Sequence, residues 1–172
     1  MDERALTLLL RLVHILTGIF WVGAIFLITG FLMPTVRATG REGGRFMQHL
    51  VQQRRLPVYL TVAMLLTLLS GFILYGRLVS ATHGAWAGTP PGVAYGLGGL
   101  SAVLGAAVGM LVSGPAARRA AAIGQRAAQS GGASAEEEVE LERLQRRMVV
   151  GSRLVAILLG LAAAAMAVGR YI

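Results

Sequence analysis

Four apolar blocks, each about as long as a bilayer is thick, leave this chain few folds to choose from. They run over residues 12–33, 56–75, 92–113 and 149–169, and each reaches the roughly 20 residues that a membrane-spanning helix needs. The chain therefore reads as one all-α domain, residues 1–172: an integral membrane four-helix bundle in contact with the lipid bilayer. Its composition agrees, at 55% hydrophobic and only 14% charged residues. The first block does not read as a cleaved signal peptide. Its apolar run is too long, Asp2 and Glu3 crowd the basic end, and no A-x-A site follows.

The charges set an expected orientation. All sixteen basic residues are arginines, and the net charge is +8. Twelve of them (Arg37, Arg41, Arg45, Arg54 and Arg55, then Arg118, Arg119, Arg126, Arg143, Arg146, Arg147 and Arg153) fall in or beside the two long connections; Arg4, Arg11, Arg77 and Arg170 fall on the other side. The positive-inside rule then places both termini on the outer side and the long connections in the cytoplasm, in what reads as a bacterial inner membrane. Tyr75, Trp86, Tyr95 and Tyr171 sit near the outer face, where an aromatic belt is expected. Arginines placed this way are topology signals, and no nucleic-acid partner is implied. The absence of cysteine excludes disulfides, thiolate metal sites, iron–sulfur clusters and covalently attached c-type haem. The absence of lysine excludes Schiff-base chemistry and a Walker-type phosphate loop.

Two connecting segments have structure of their own. FMQHLVQQRRLP alternates apolar and polar residues at helical spacing, which predicts an amphipathic segment at the interface before helix two, with His49 on its wet face. Ser134 followed by Glu137 is a capping-box pattern, and Glu136–Glu138 with Arg143, Arg146 and Arg147 suit the helix dipole. A cytoplasmic helix running unbroken into helix four is expected, with Glu142 and Arg146 as an i,i+4 pair. Small residues recur every fourth position in Ser101, Gly105, Gly109 and Ser113, and again in Ser152, Ala156, Gly160 and Ala164. Such stripes let helices approach closely, either within the bundle or across a homodimer or larger membrane complex.

The residue that stands out chemically is His14, an imidazole inside the first apolar block. Helical spacing puts it on one face with Thr17, Gly18, Trp21, Ile25 and Ile28. Gly18 leaves room one turn away and Trp21 lies deep in the block, so His14, Gly18 and Trp21 could form one wall of a tetrapyrrole pocket, with the imidazole on haem iron. The alternative is structural: the imidazole hydrogen-bonds a neighbouring helix, for instance through Thr67 or Ser70, and steadies the bundle. For a second axial ligand the candidates by depth are Met166 and His83, with five-coordinate iron also open; His49 lies at the wrong side.

LLRLVHILTGIFWVGAIFLITGFLMPTVR, with its H-x6-W-x-G core of His14, Trp21 and Gly23, resembles the first helix of small helical membrane proteins. That superfamily joins the copper resistance D family and the membrane type of protoporphyrinogen oxidase. QQRRLPVYLTVAMLLTLLSGFIL, with Arg54, Arg55, Leu56 and Gly71, is similar to the second helix of the oxidase type, and the likeness covers about the first 75 residues. It implies that the histidine matching His14 binds haem b. The oxidases also rely on a lysine in the third helix, and this chain has none. Four functions follow as expectations: a haem b-binding redox or electron-transfer protein, a protoporphyrinogen oxidase-like enzyme, a cofactor-free membrane subunit or assembly partner, and a copper-handling protein. Copper comes last, because the methionines are scattered and no Met- or His-rich cluster offers soft ligands.

Overall fold

Where no water reaches, every backbone N–H and C=O has to be paired inside its own segment, and a helix does that without help from a neighbour. The computed structural model describes residues 2–172 and contains helices and turns with no strand among the described residues. Four helices are long and apolar enough to cross a membrane: α1 (Glu3–Ala38), α3 (Leu56–Ala81), α4 (Pro90–Ser130) and α5 (Ala135–Val168). Between α1 and α3 lies the short α2 (Arg41–Gln48), which ends in a π turn over His49–Gln53. The outward faces are the apolar ones. Leu8, Leu12, Leu16, Ile19 and Phe20 on α1, and Leu65, Leu69, Phe72 and Ile73 on α3, are all exposed. A contiguous coat of this kind belongs against lipid.

The helices outrun the blocks that predict them, most of all in α4. The third block ends at Ser113, yet the helix continues past Pro115 to Ser130. A proline inside a helix removes one N–H and its ring collides with the carbonyl four residues back. Here a π turn over Gly109–Ser113 comes first, and the Gly114 N–H reaches back to the Gly109 carbonyl. The same device precedes Pro34 in α1: residues Ile28–Leu32 form a π turn, and the Met33 N–H bonds to Ile28. One extra residue per turn takes up the proline, and neither helix breaks.

At its start α5 has the capping box the sequence implies. Ser134 Oγ accepts the Glu137 N–H, the Glu137 carboxylate accepts the Ser134 N–H, and the helix then runs unbroken for 34 residues. The anticipated Glu142–Arg146 pair does not form. Arg143 approaches Glu140 at 3.7 Å and Arg126 of α4 reaches Glu137 at 3.2 Å, while Arg146 turns into clefts on either side of α5.

Packing is strongest within two pairs, α1 with α3 and α4 with α5. A core of Trp21, Ala63, Met64, Ala102, Ala106, Val155, Leu159 and Ala162 joins them. The small-residue stripes divide between partners. Gly105 lies against Leu159 and Gly98 against Ala162 and Ala165, so α4 meets the face of α5 that carries those residues. Ser152 and Gly160 turn the other way, to Met33 and Phe26 of α1. At the end that holds both termini, Tyr75, Trp86 and Tyr95 form a cluster, with centroids 5.4 Å apart for the first two and 6.0 Å for the last two. Tyr171 stays apart and is 82% exposed.

Candidate functional site

His14 lies in the seam between α1 and α3, half-buried. Its Nδ1 is 2.8 Å from the backbone carbonyl oxygen of Thr67. A carbonyl can only accept, so Nδ1 carries the proton and donates; in a neutral ring that leaves Nε2 with a free lone pair. The Thr67 carbonyl also closes the helical i→i−4 bond with Gly71, so it uses both lone pairs. Ser70 Oγ stands 3.5 Å from the same ring nitrogen, and its own proton goes to the nearer Leu66 carbonyl.

Gly71 makes this approach possible. An ideal Cβ there would stand 2.8 Å from His14 Cε1 and 3.1 Å from Nδ1, inside contact distance, so any side chain would push the imidazole off the carbonyl. Below it, Thr17 Oγ1 and Thr67 Oγ1 lie 2.8 Å apart across the seam. Each is also 2.7 Å from a carbonyl in its own helix, Val13 or Ala63. Two hydroxyl protons serve three contacts, so one hydroxyl bridges the helices while the other bonds back. Thr67 and Ser70 are 8% and 3% exposed, which makes this a polar seam inside an apolar pair. Such bonds hold transmembrane helices together at about 0.6 kcal/mol each on average.

Nε2 of His14 has no hydrogen-bond partner among the described residues, and neither is it sealed. The one side-chain nitrogen or oxygen both buried and unpartnered among them is Ser113 Oγ. The imidazole therefore has one edge fixed by a backbone carbonyl and the other accessible. A ligating histidine has the same division, its second N–H fixing tautomer and ring orientation.

The other residues expected at a haem site are placed differently. Gly18 faces α3, where an ideal Cβ would rest 3.5 Å from the Thr67 methyl; this is ordinary packing distance. Trp21 is 4% exposed and belongs to the bundle core. Met166 lies on α5 with its methyl against Gly98 of α4. His83 is exposed in the turn after α3, at a positive φ of 48°. His49 is exposed at the opposite end, opening the π turn after α2. No group of three or more His, Asp or Glu residues able to hold a bare metal ion occurs among the described residues.

Nε2 of His14 is thus left without a partner, while Gly18 and Trp21 are engaged with α3 and the core, and neither of the clefts beside α5 is lined by His14. Sequence reasoning named Thr67 and Ser70 as partners but missed that the acceptor is a main-chain oxygen. It also missed the role of Gly71, whose signal was its position one turn beyond Thr67. Compared with protein-family models, with curated proteins and with solved structures, the chain matches none.

Proposed function

We propose that this chain is a multi-pass membrane protein that binds haem b through Nε2 of His14 and serves in electron transfer. Both termini lie on the outer side of a bacterial cytoplasmic membrane. The observation that carries the reading is the 2.8 Å bond from Nδ1 to the Thr67 carbonyl, which leaves Nε2 unpartnered and accessible. An intramembrane imidazole is expensive unless both nitrogens are used, and a metal centre uses the second one. Haem supplies one-electron chemistry when bound, and the chain supplies a ligand of fixed tautomer in low-dielectric surroundings. Thr67 and Gly71 are positioning residues: the first holds the ring, the second lets it in. The orientation rests on the twelve arginines at one end and on the Tyr75–Trp86–Tyr95 cluster at the other.

A second reading has an observation of its own. Gly18, Trp21 and Met166 are all taken up in helix packing, as they would be in a cofactor-free bundle whose His14 only clamps α1 to α3. Absorption spectra of protein purified in mild detergent from haem-replete cells separate the two. Haem binding gives a Soret band that sharpens on reduction and is lost in His14→Ala. A colourless wild-type preparation, or a His14→Ala variant with an unchanged spectrum, refutes the assignment.

A further inference from the structure

A cleft of about 880 Å³ opens between α1 and α5 at the arginine-rich end of the molecule, far from His14 along α1. Three arginines line it, Arg37 from α1 with Arg146 and Arg153 from α5, against one carboxylate, Glu142. None of the three arginines is within 4.0 Å of a carboxylate among the described residues. Arg37 instead donates to the Gln145 carbonyl across the cleft at 3.5 Å. Between the arginine positions the walls are apolar, made by Val36, Val149 and Val150. On the α2 side Gly40 and Gly44 contribute backbone only, and an added Cβ at either would meet nothing within 4 Å.

The level of the cleft identifies its ligand. Arg37 is the first charged residue after the apolar run that begins at Leu12, and Arg153 is the last before the run that ends at Gly169. Both mark the depth at which hydrocarbon gives way to headgroups, and both face one groove. Basic groups interleaved with apolar ones at that depth match an amphiphile that carries a phosphate. Guanidinium forks pair with phosphate oxygens in a bidentate way.

We propose that this cleft binds an anionic phospholipid, its phosphate held by Arg37, Arg146 and Arg153 and its apolar part resting against Val36, Val149 and Val150. The inference rests on the membrane-spanning reading and is independent of haem at His14, so failure of the haem assignment leaves it intact. Full-length protein in a non-ionic detergent is mixed with equal amounts of phosphatidylglycerol and phosphatidylcholine, and retained lipid is counted by native mass spectrometry. Wild type retains phosphatidylglycerol preferentially. Arg37→Gln with Arg153→Gln lowers that retention by roughly fivefold per arginine, about twenty-five-fold together. Arg118→Gln with Arg119→Gln, an equal loss of charge at exposed positions outside the cleft, leaves it unchanged. Gly44→Leu fills the cleft without altering charge and also lowers retention. Equal retention of the two lipids, equal loss in both arginine pairs, or full retention in Gly44→Leu overturns the proposal. Displacement of phosphatidylglycerol by an equal concentration of inorganic phosphate assigns the cleft to free phosphate and overturns it too.

Discussion

Replacing Gly71 by alanine tests the His14 seam at its narrowest point. The new methyl would stand 2.8 Å from Cε1 and 3.1 Å from Nδ1, whereas carbon atoms rest at about 3.5–4.0 Å. A displacement of at least about 0.7 Å is needed, and only two parts can move. If the ring swings out, the bond to Thr67 is lost, about 0.6 kcal/mol on average and up to about 1.7. If the helices part, overpacking costs about 1–3 kcal/mol. Gly76 is the control: it is in the same helix, and an added Cβ there meets nothing within 4 Å. Alanine at an open helical site gains up to about 1 kcal/mol over glycine. Both sites share that gain, so it cancels, and Gly71→Ala should fall below Gly76→Ala by the clash alone, about 0.6–3 kcal/mol, in reversible unfolding followed by the fluorescence of buried Trp21. With the imidazole gone the methyl has room, so in a His14→Ala background most of that difference should vanish, as a coupled pair requires. An equal loss from Gly71→Ala in both backgrounds would sink the account. Where haem is bound, disturbing the carbonyl that fixes its ligand lowers retention by about 10- to 100-fold.

Other perturbations follow from named contacts. Ser113 Oγ is buried without a partner and stands 2.5 Å from where a Gly151 Cβ would lie. Gly151→Ala should destabilise by about 1–3 kcal/mol, whereas Ser113→Ala should be neutral or stabilising. The double variant should regain most of the loss, because Ser113 Cβ is at an ordinary 3.8 Å; unfolding curves of the three variants check this. Ser134→Ala removes the cap of α5 and should cost about 1 kcal/mol, read as faster amide exchange over residues 135–139 and unchanged exchange near residue 159. His14→Phe keeps a ring and removes both nitrogens. It should lower the stability of protein from haem-replete cells by about 2–3 kcal/mol and leave haem-depleted protein within about 1 kcal/mol of wild type.

What could be read in the sequence was what depends on local pattern. Block length gave the four long helices, and Ser134 with Glu137 gave the start of α5. The extent of α4 was not legible, because Pro115 reads as a stop unless a π turn has already made room for it. Periodicity showed small faces on α4 and α5 but not their partners. Ser152 and Gly160 turn to α1, while Gly151, Leu159 and Ala162 face α4 or share its core; on a helix these neighbouring rows differ by one residue. Glu142 and Arg146 have helix-pair spacing and line the same cleft, yet they form no ion pair. At the candidate site, Thr67 was legible as a polar neighbour through its hydroxyl. The oxygen that holds His14 is a main-chain atom, and every residue has one of those. Only the glycine one turn on exposes this one.

Within the bundle several polar side chains tie helices together or bond back into their own. Thr17 and Thr67 bridge two helices, Ser70 bonds back into α3, and Thr29 reaches the Ser152 carbonyl. Two atoms without a partner among the described residues contrast, Ser113 Oγ and His14 Nε2. The first is sealed against Gly151, where nothing can reach it, and its hydroxyl is an uncompensated cost. The second is open, so its cost can be cancelled by whatever arrives. His14→Phe separates these cases because it removes the open atom and its fixed partner together. Without a cofactor the exchange trades one interhelical bond of about 0.6 kcal/mol for relief of an unpaired nitrogen, and the two nearly cancel. With a cofactor at about a hundred times its dissociation constant, about 2.7 kcal/mol of linked stability disappears as well. A gap between haem-replete and haem-depleted wild type that closes in His14→Phe assigns Nε2 to iron. Identical stability in both preparations assigns His14 to the clamp.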